Sequence, residues 1–115
     1  GTYSVHERIQ DVLHYLDENM ERMISRRKAA KYVFLNEDYF SRVFRKETGT
    51  GYKEYVLKQK MDYAKKLLGD TDMSVALIAS KVGYENFTNF TQMFRKYTGT
   101  TPTEYRKKYQ KNGQP

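Results

Sequence analysis

The stretch Phe40-Ser41-Arg42-Val43-Phe44-Arg45-Lys46-Glu47-Thr48-Gly49-Thr50 returns fifty residues later as Phe90-Thr91-Gln92-Met93-Phe94-Arg95-Lys96-Tyr97-Thr98-Gly99-Thr100. The likeness extends outward on both sides. Glu54-Tyr55 matches Glu104-Tyr105 at the same offset, and Ser25…Ala30 matches Ser74…Ala79 at an offset shorter by one. The odd residue falls in the turn between paired helices. In both copies Phe40, Val43 and Phe44, or Phe90, Met93 and Phe94, stand at i, i+3, i+4, which turns one face of a helix to a core. Each copy therefore reads as a short helix, a tight turn and a longer helix, the helix-turn-helix plan. Two copies are too few for a solenoid. Ala30 and Ala79 stand where the first helix must let the second approach closely.

The rest of the chain reads as helix too, with few turn residues: 7 Gly and 2 Pro in 115. Ser4-Val5-His6-Glu7 is a capping box, and Val5, Ile9, Val12, Leu13, Leu16 and Met20 continue it as a first helix to about Asn19. Ser25 caps a second helix through Val33, and Asn36 a third that ends before Gly49. A fourth runs from about Tyr52 to Leu68 with Tyr55, Val56, Met61, Ala64, Leu67 and Leu68 on its apolar side, and Gly69-Asp70 closes it. Ser74 caps a fifth, through Val82, which Gly83 stops, and Asn86 a sixth, to about Tyr97. Thr101-Pro102-Thr103-Glu104 is a second capping box, with Pro at the first position of a seventh helix. The expected fold is all-α: seven helices in two helix-turn-helix subdomains, residues 4–50 and 70–111, joined by a linking helix over 51–69. Residues 112–115 are expected to form a frayed tail.

Composition narrows the function. Cysteine is absent and the two histidines, His6 and His14, both lie in the first helix. That leaves no thiol nucleophile and no Cys-ligated zinc, and a histidine pair without a third ligand. No apolar run is long enough for a membrane span, so no membrane partner is expected. The hydrophobic fraction is 38%, yet 11 Tyr and 6 Phe can supply a core in a chain this short. Charge is uneven: residues 1–25 carry a net −3 and residues 26–115 a net +10. A basic body behind an acidic leading segment suggests a polyanion partner for the body.

Opposite the core-facing side of each longer helix lies an exposed stripe: Glu37, Asp38, Ser41, Arg42 and Arg45 in the first copy, Phe87, Thr88, Thr91, Gln92 and Arg95 in the second. In a helix-turn-helix this second helix enters the major groove. Alone, Arg45-Lys46 and Arg95-Lys96 could be a solvated face; two aligned copies in a basic segment favour DNA. The aromatic residues fit core packing better than stacking on single-stranded bases.

These residues together resemble one family. The pattern is Ala30…Asn36-x-x-Tyr39-Phe40-Ser41-Arg42-x-Phe44-Arg45-Lys46-x-Thr48-Gly49, then Tyr55…Ala64-x-x-Leu67-Leu68. It continues with Ile78-Ala79-x-x-Val82-Gly83-Tyr84…Phe90-x-x-x-Phe94-Arg95-Lys96-x-x-Gly99-x-x-Pro102-x-x-Tyr105-Arg106. It is similar to the AraC/XylS family DNA-binding domain over about residues 5–109, and Asn36–Gly49 resembles the members attached to two-component receiver domains. The resemblance implies a cytoplasmic bacterial transcription regulator, as a rule an activator, without an enzymatic role or a cofactor. It further implies double-stranded DNA as partner, RNA polymerase as a second, and a sensor or receiver domain beyond this chain. Its base-reading positions fall on Asp38, Ser41 and Arg42, and on Phe87, Thr88, Thr91 and Gln92.

The chemistry of those side chains suits the task. Arg42 can bridge guanine O6 and N7, Gln92 pairs with adenine, and Phe87, Thr88 and Thr91 can meet thymine methyl groups. Arg27, Arg45, Lys46, Lys81, Arg95 and Lys96 are the phosphate candidates. Two departures stand out. Phe34 takes the turn position of Gly83, so the two turns need not share geometry. Glu37-Asp38 opens the first recognition helix with acids, which suit the helix dipole but repel phosphate. A linking helix of about 17 residues would span about 25 Å and, with about 10 Å for recognition helices set outboard of its end, approach the roughly 34–36 Å of one DNA turn, which predicts major-groove contacts about 10 bp apart. The competing reading is a helical protein-interaction module that binds a partner helix and no DNA; any enzymatic chemistry would have to sit on another domain.

Overall fold

The structure, a computed structural model, describes residues 2–111. Among them are seven helices and no strands: α1 (Val5–Glu18), α2 (Arg26–Tyr32), α3 (Glu37–Thr48), α4 (Tyr52–Asp70), α5 (Val75–Lys81), α6 (Phe87–Thr98) and α7 (Pro102–Tyr109). The caps are those expected. Ser4 and Thr101 form capping boxes with Glu7 and Glu104, and Ser25, Asn36, Ser74 and Asn86 accept backbone N–H bonds at the starts of their helices. The expected tail at 112–115 lies outside the described residues.

The Thr-Gly-Thr ending of each repeat is a helix stop with a shared geometry. Gly49 and Gly99 take φ of 83° and 86°, and their N–H groups donate to the Arg45 and Arg95 carbonyls at 2.8 and 2.7 Å. This is the left-handed cap that glycine adopts without strain. The hydroxyls of Thr48 and Thr98 lie 2.8 Å from the Phe44 and Phe94 carbonyls and 3.0 Å from those of Thr50 and Thr100.

The chain divides into two compact units, Gly1–Lys58 and Gln59–Pro115, with the division inside α4. In the first, Ile9, Val12 and Leu16 of α1 join Ala29, Ala30, Val33, Phe40, Val43, Phe44 and Tyr52 in one core. In the second, Met61, Ala64, Leu67 and Leu68 of α4 are buried, as are Ile78, Ala79, Val82, Phe90 and Phe94. Met93, in register with buried Val43, is only partly covered. The ring packing repeats: Phe44 meets Tyr55 edge-on at 5.5 Å and 84°, Phe94 meets Tyr105 at 5.6 Å and 82°. Each recognition helix is thus held by the helix that follows it as well as the one before.

Two details of the turns and ends come from the structure. Phe34 adopts φ 60° and Gly83 φ 88°, so the two turns do share their left-handed residue. The next N–H, of Leu35 or Tyr84, reaches back to the Ala30 or Ala79 carbonyl at 2.9 Å in both. The extra residue of the second turn, Glu85, comes after this common part and before the Asn86 cap. The second detail concerns α4, which takes in both Gly69 and Asp70 before it ends. Its last carbonyls are satisfied from elsewhere. Thr71 N–H and hydroxyl take that of Leu67 (3.1 and 2.6 Å), Arg106 Nε that of Leu68 (3.1 Å), and Lys111 N–H that of Gly69 (3.0 Å). With Thr71 just past the helix end, and α7 and the chain after it, supplying these donors, no left-handed glycine is required.

Candidate nucleic-acid interface

The Asn36 side chain accepts from the N–H groups of Asp38 and Tyr39 at 2.9 and 3.1 Å, which sets where α3 starts. Burial of Phe40, Val43 and Phe44 then sets how it is turned. The opposite side carries Asp38 and Arg42, both exposed, and Glu37 and Ser41, both partly covered. The Arg42 guanidinium lies 5.6 Å from the centroid of the Tyr39 ring, which steadies it at the surface with its polar edge available. α6 is turned the same way by Phe90 and Phe94. It presents Phe87 (49% exposed), Thr88 and Gln92, with Thr91 partly covered and its hydroxyl donating to the Thr88 carbonyl at 3.0 Å. The structure therefore gathers Asp38, Ser41 and Arg42 on one helix face and Phe87, Thr88, Thr91 and Gln92 on another.

The phosphate candidates divide into two kinds. All six are exposed, and Arg27 on α2, Lys46 on α3, Lys81 on α5 and Lys96 on α6 form the first kind. Arg45 and Arg95 face acids at the start of the following helix. The Arg45 guanidinium and the Glu54 carboxylate both come against Gly51, 2.9 and 2.7 Å from where a Cβ would stand. Fifty residues on, Arg95 helps hold the Glu104 carboxyl below its ordinary range, after the larger effect of the bonds from Thr101.

The least expected feature at this face is Arg26, which sequence reasoning passed over. Its Nη1 donates to the Ser41 hydroxyl at 2.6 Å and its Nη2 lies 2.9 Å from Glu37 Oε2. The first residue of α2 thus reaches across to α3, among the candidate readers. A sequence signal existed: in the aligned repeat Arg26 corresponds to Val75 and Glu37 to Phe87, so a charge and its counter-charge occur together in one copy and vanish together in the other.

The histidines lie elsewhere. His6 is 2.7 Å from Glu47, tying α1 to the end of α3, and His14 is 3.3 Å from Glu18. Among the described residues no group of His, Asp and Glu could hold a metal ion, and no helix is long and apolar enough to cross a membrane.

A family model described as a helix-turn-helix domain matches residues 29–108, the bulk of both repeats and all of α4. The chain belongs to the AraC-type helix-turn-helix family. Members of this family are DNA-binding domains of transcription regulators and not enzymes. Among relatives of this AraC-type domain is the regulatory protein PocR of Salmonella typhimurium, 32% identical over 108 residues. The match takes in 94% of this chain but only 36% of PocR. The C-terminal domain of the two-component response regulator YesN of Fusobacterium nucleatum superposes with a TM-score of 0.80 at 28% identity, over 84% of this chain and 95% of that one. The DNA-binding domain of AdpA, solved with a target DNA, gives 0.83 at 24% identity over 89% and 92%, a likeness of fold.

Proposed function

We propose that this AraC-type domain binds double-stranded DNA sequence-specifically through both α3 and α6, each placed in a major groove. The observation that carries this reading is the duplication. Two helix-turn-helix units share caps, turn geometry and ring packing, and each leaves the outer face of its second helix open with hydrogen-bonding side chains on it. Arg42 is the foremost reader of the first unit, for guanine, and Gln92 of the second, for adenine, with Phe87, Thr88 and Thr91 against thymine methyls and Asp38 beside Arg42. Lys46, Lys96, Arg27 and Lys81 set affinity and register through phosphates, with Arg45 and Arg95 behind them. AdpA's complex with DNA and YesN's place among response regulators support the wider reading. In it the domain works in the bacterial cytoplasm as an activator, under a sensor or receiver domain and together with RNA polymerase.

Selection of bound sequences from random duplex DNA is the test, followed by titrations of single variants on the enriched site. Arg42→Ala should cost about 1–3 kcal/mol on that site and relax preference at one base pair. Lys96→Ala should weaken all sequences alike and flatten the slope of log K against log salt by about 0.9. If no sequence is enriched and binding does not depend on salt, the chain is a protein-interaction module instead.

A further inference from the structure

We propose that Arg26 is a DNA-phosphate contact of the first unit, held in place by Glu37 and Ser41 so that its charge offsets the acid at the start of α3 and faces the DNA backbone. The inference rests on α3 being a recognition helix. Four observations lead to it. The guanidinium touches two residues of the outer face of α3, Glu37 at 2.9 Å and Ser41 at 2.6 Å, so it stands at the reading surface although it belongs to α2. Those contacts use one donor on each terminal nitrogen and leave most of its N–H groups unused. The side chain is 46% exposed and that of Glu37 37%, so the pair is open to a ligand. Finally, an ion pair this exposed adds little to folding, which leaves its presence unexplained as a structural brace.

The contacts also reassign Ser41. Its hydroxyl accepts from Arg26 and lies 3.2 Å from the Glu37 carbonyl, to which it donates. Its one donor and one of its two acceptor positions are engaged inside the protein, which favours a part in positioning Arg26 over reading a base. Thr91, its counterpart, bonds within its own helix, to the Thr88 carbonyl, and Val75 stands where Arg26 would be. The two units therefore approach DNA with different chemistry at this point: a tethered cation in the first, the apolar Val75 and Phe87 in the second.

A double-mutant cycle on the 115-residue chain separates this role from simple neutralisation of Glu37. The probe is a labelled random-sequence DNA duplex, read by fluorescence anisotropy over a salt series, with circular dichroism confirming the fold. Arg26→Ala is expected to flatten the salt slope by about 0.9. The same flattening, with a several-fold loss of affinity, is expected when Arg26→Ala is made in a Glu37→Gln background, where no acid remains to be neutralised. If the double variant matches Glu37→Gln in both slope and affinity, Arg26 only cancels Glu37 and the proposal fails. A wild-type chain that shows no salt-dependent binding to this duplex would instead bring down the DNA-binding reading itself. An unchanged salt slope in both Arg26→Ala variants would mean that Arg26 touches no phosphate and would overturn the assignment.

Discussion

Phe34 shows how much one residue can be made to bear by its neighbours. The turn between α2 and α3 needs a left-handed residue, because only then can the next N–H return to the Ala30 carbonyl. A phenylalanine there sets its Cβ against its own carbonyl oxygen, at about 1–2 kcal/mol, and its side chain, 83% exposed, recovers little by burial. Phe34→Gly should therefore stabilise the domain by about 0.5–1 kcal/mol, the relief of strain less the greater freedom of glycine in the unfolded chain. Phe34→Ala keeps the Cβ and should gain nothing. Urea unfolding of the two variants decides, and a glycine variant no more stable than the alanine one would show that the turn is unstrained.

At the scale of the element, the helix ends are where sequence and charge meet most directly. Glu104 closes the capping box of α7. Its carboxyl is held below its ordinary 4.5, first by the Thr101 backbone N–H at 2.8 Å, then by the Thr101 side chain, with Arg95 and Lys107 adding their charge. A carboxyl depressed by folding contributes stability above its unfolded value and loses it as pH falls through the folded one. Glu104→Gln should thus be less stable than the wild type at neutral pH, and the gap should close as pH drops below about 4.5. Denaturant midpoints of both proteins across that range provide the check. A gap that persists in acid would trace to the shape of the cap and not to its charge. The far end of α4 works differently, since Arg106 and Lys111, distant in sequence, take the carbonyls that a local cap would otherwise have to satisfy.

For the whole molecule the consequence is one chain with two candidate reading helices, both of 12 residues, in two units that each carry their own core. A single copy bound to a selected site should protect two major-groove segments about 10 bp apart. Footprinting and methylation interference at 1:1 stoichiometry would display them. One protected segment, or two only when two chains are bound, would mean that one unit stays off the bases.

The helices, their caps and the repeat were legible from the amino-acid order because each rests on contacts within a turn or two of the chain. Serine, asparagine and threonine hydroxyl or amide groups reach the next three N–H groups, and apolar residues at i, i+3 and i+4 choose the buried face. That face in turn decides which residues are left outside, so the exposure of Arg42 and Gln92 followed from the periodicity. The left-handed Phe34, the run of α4 through Gly69 and the hold of Arg26 on Glu37 and Ser41 belong to the tertiary structure alone. Each is settled by groups that only folding brings together: the Ala30 carbonyl under the turn, the Arg106 guanidinium at the end of α4, and α3 laid across the start of α2. Local propensity in each case pointed to another outcome or to none. The winning term was a backbone or charged group that had to find a partner, and it found one across the fold.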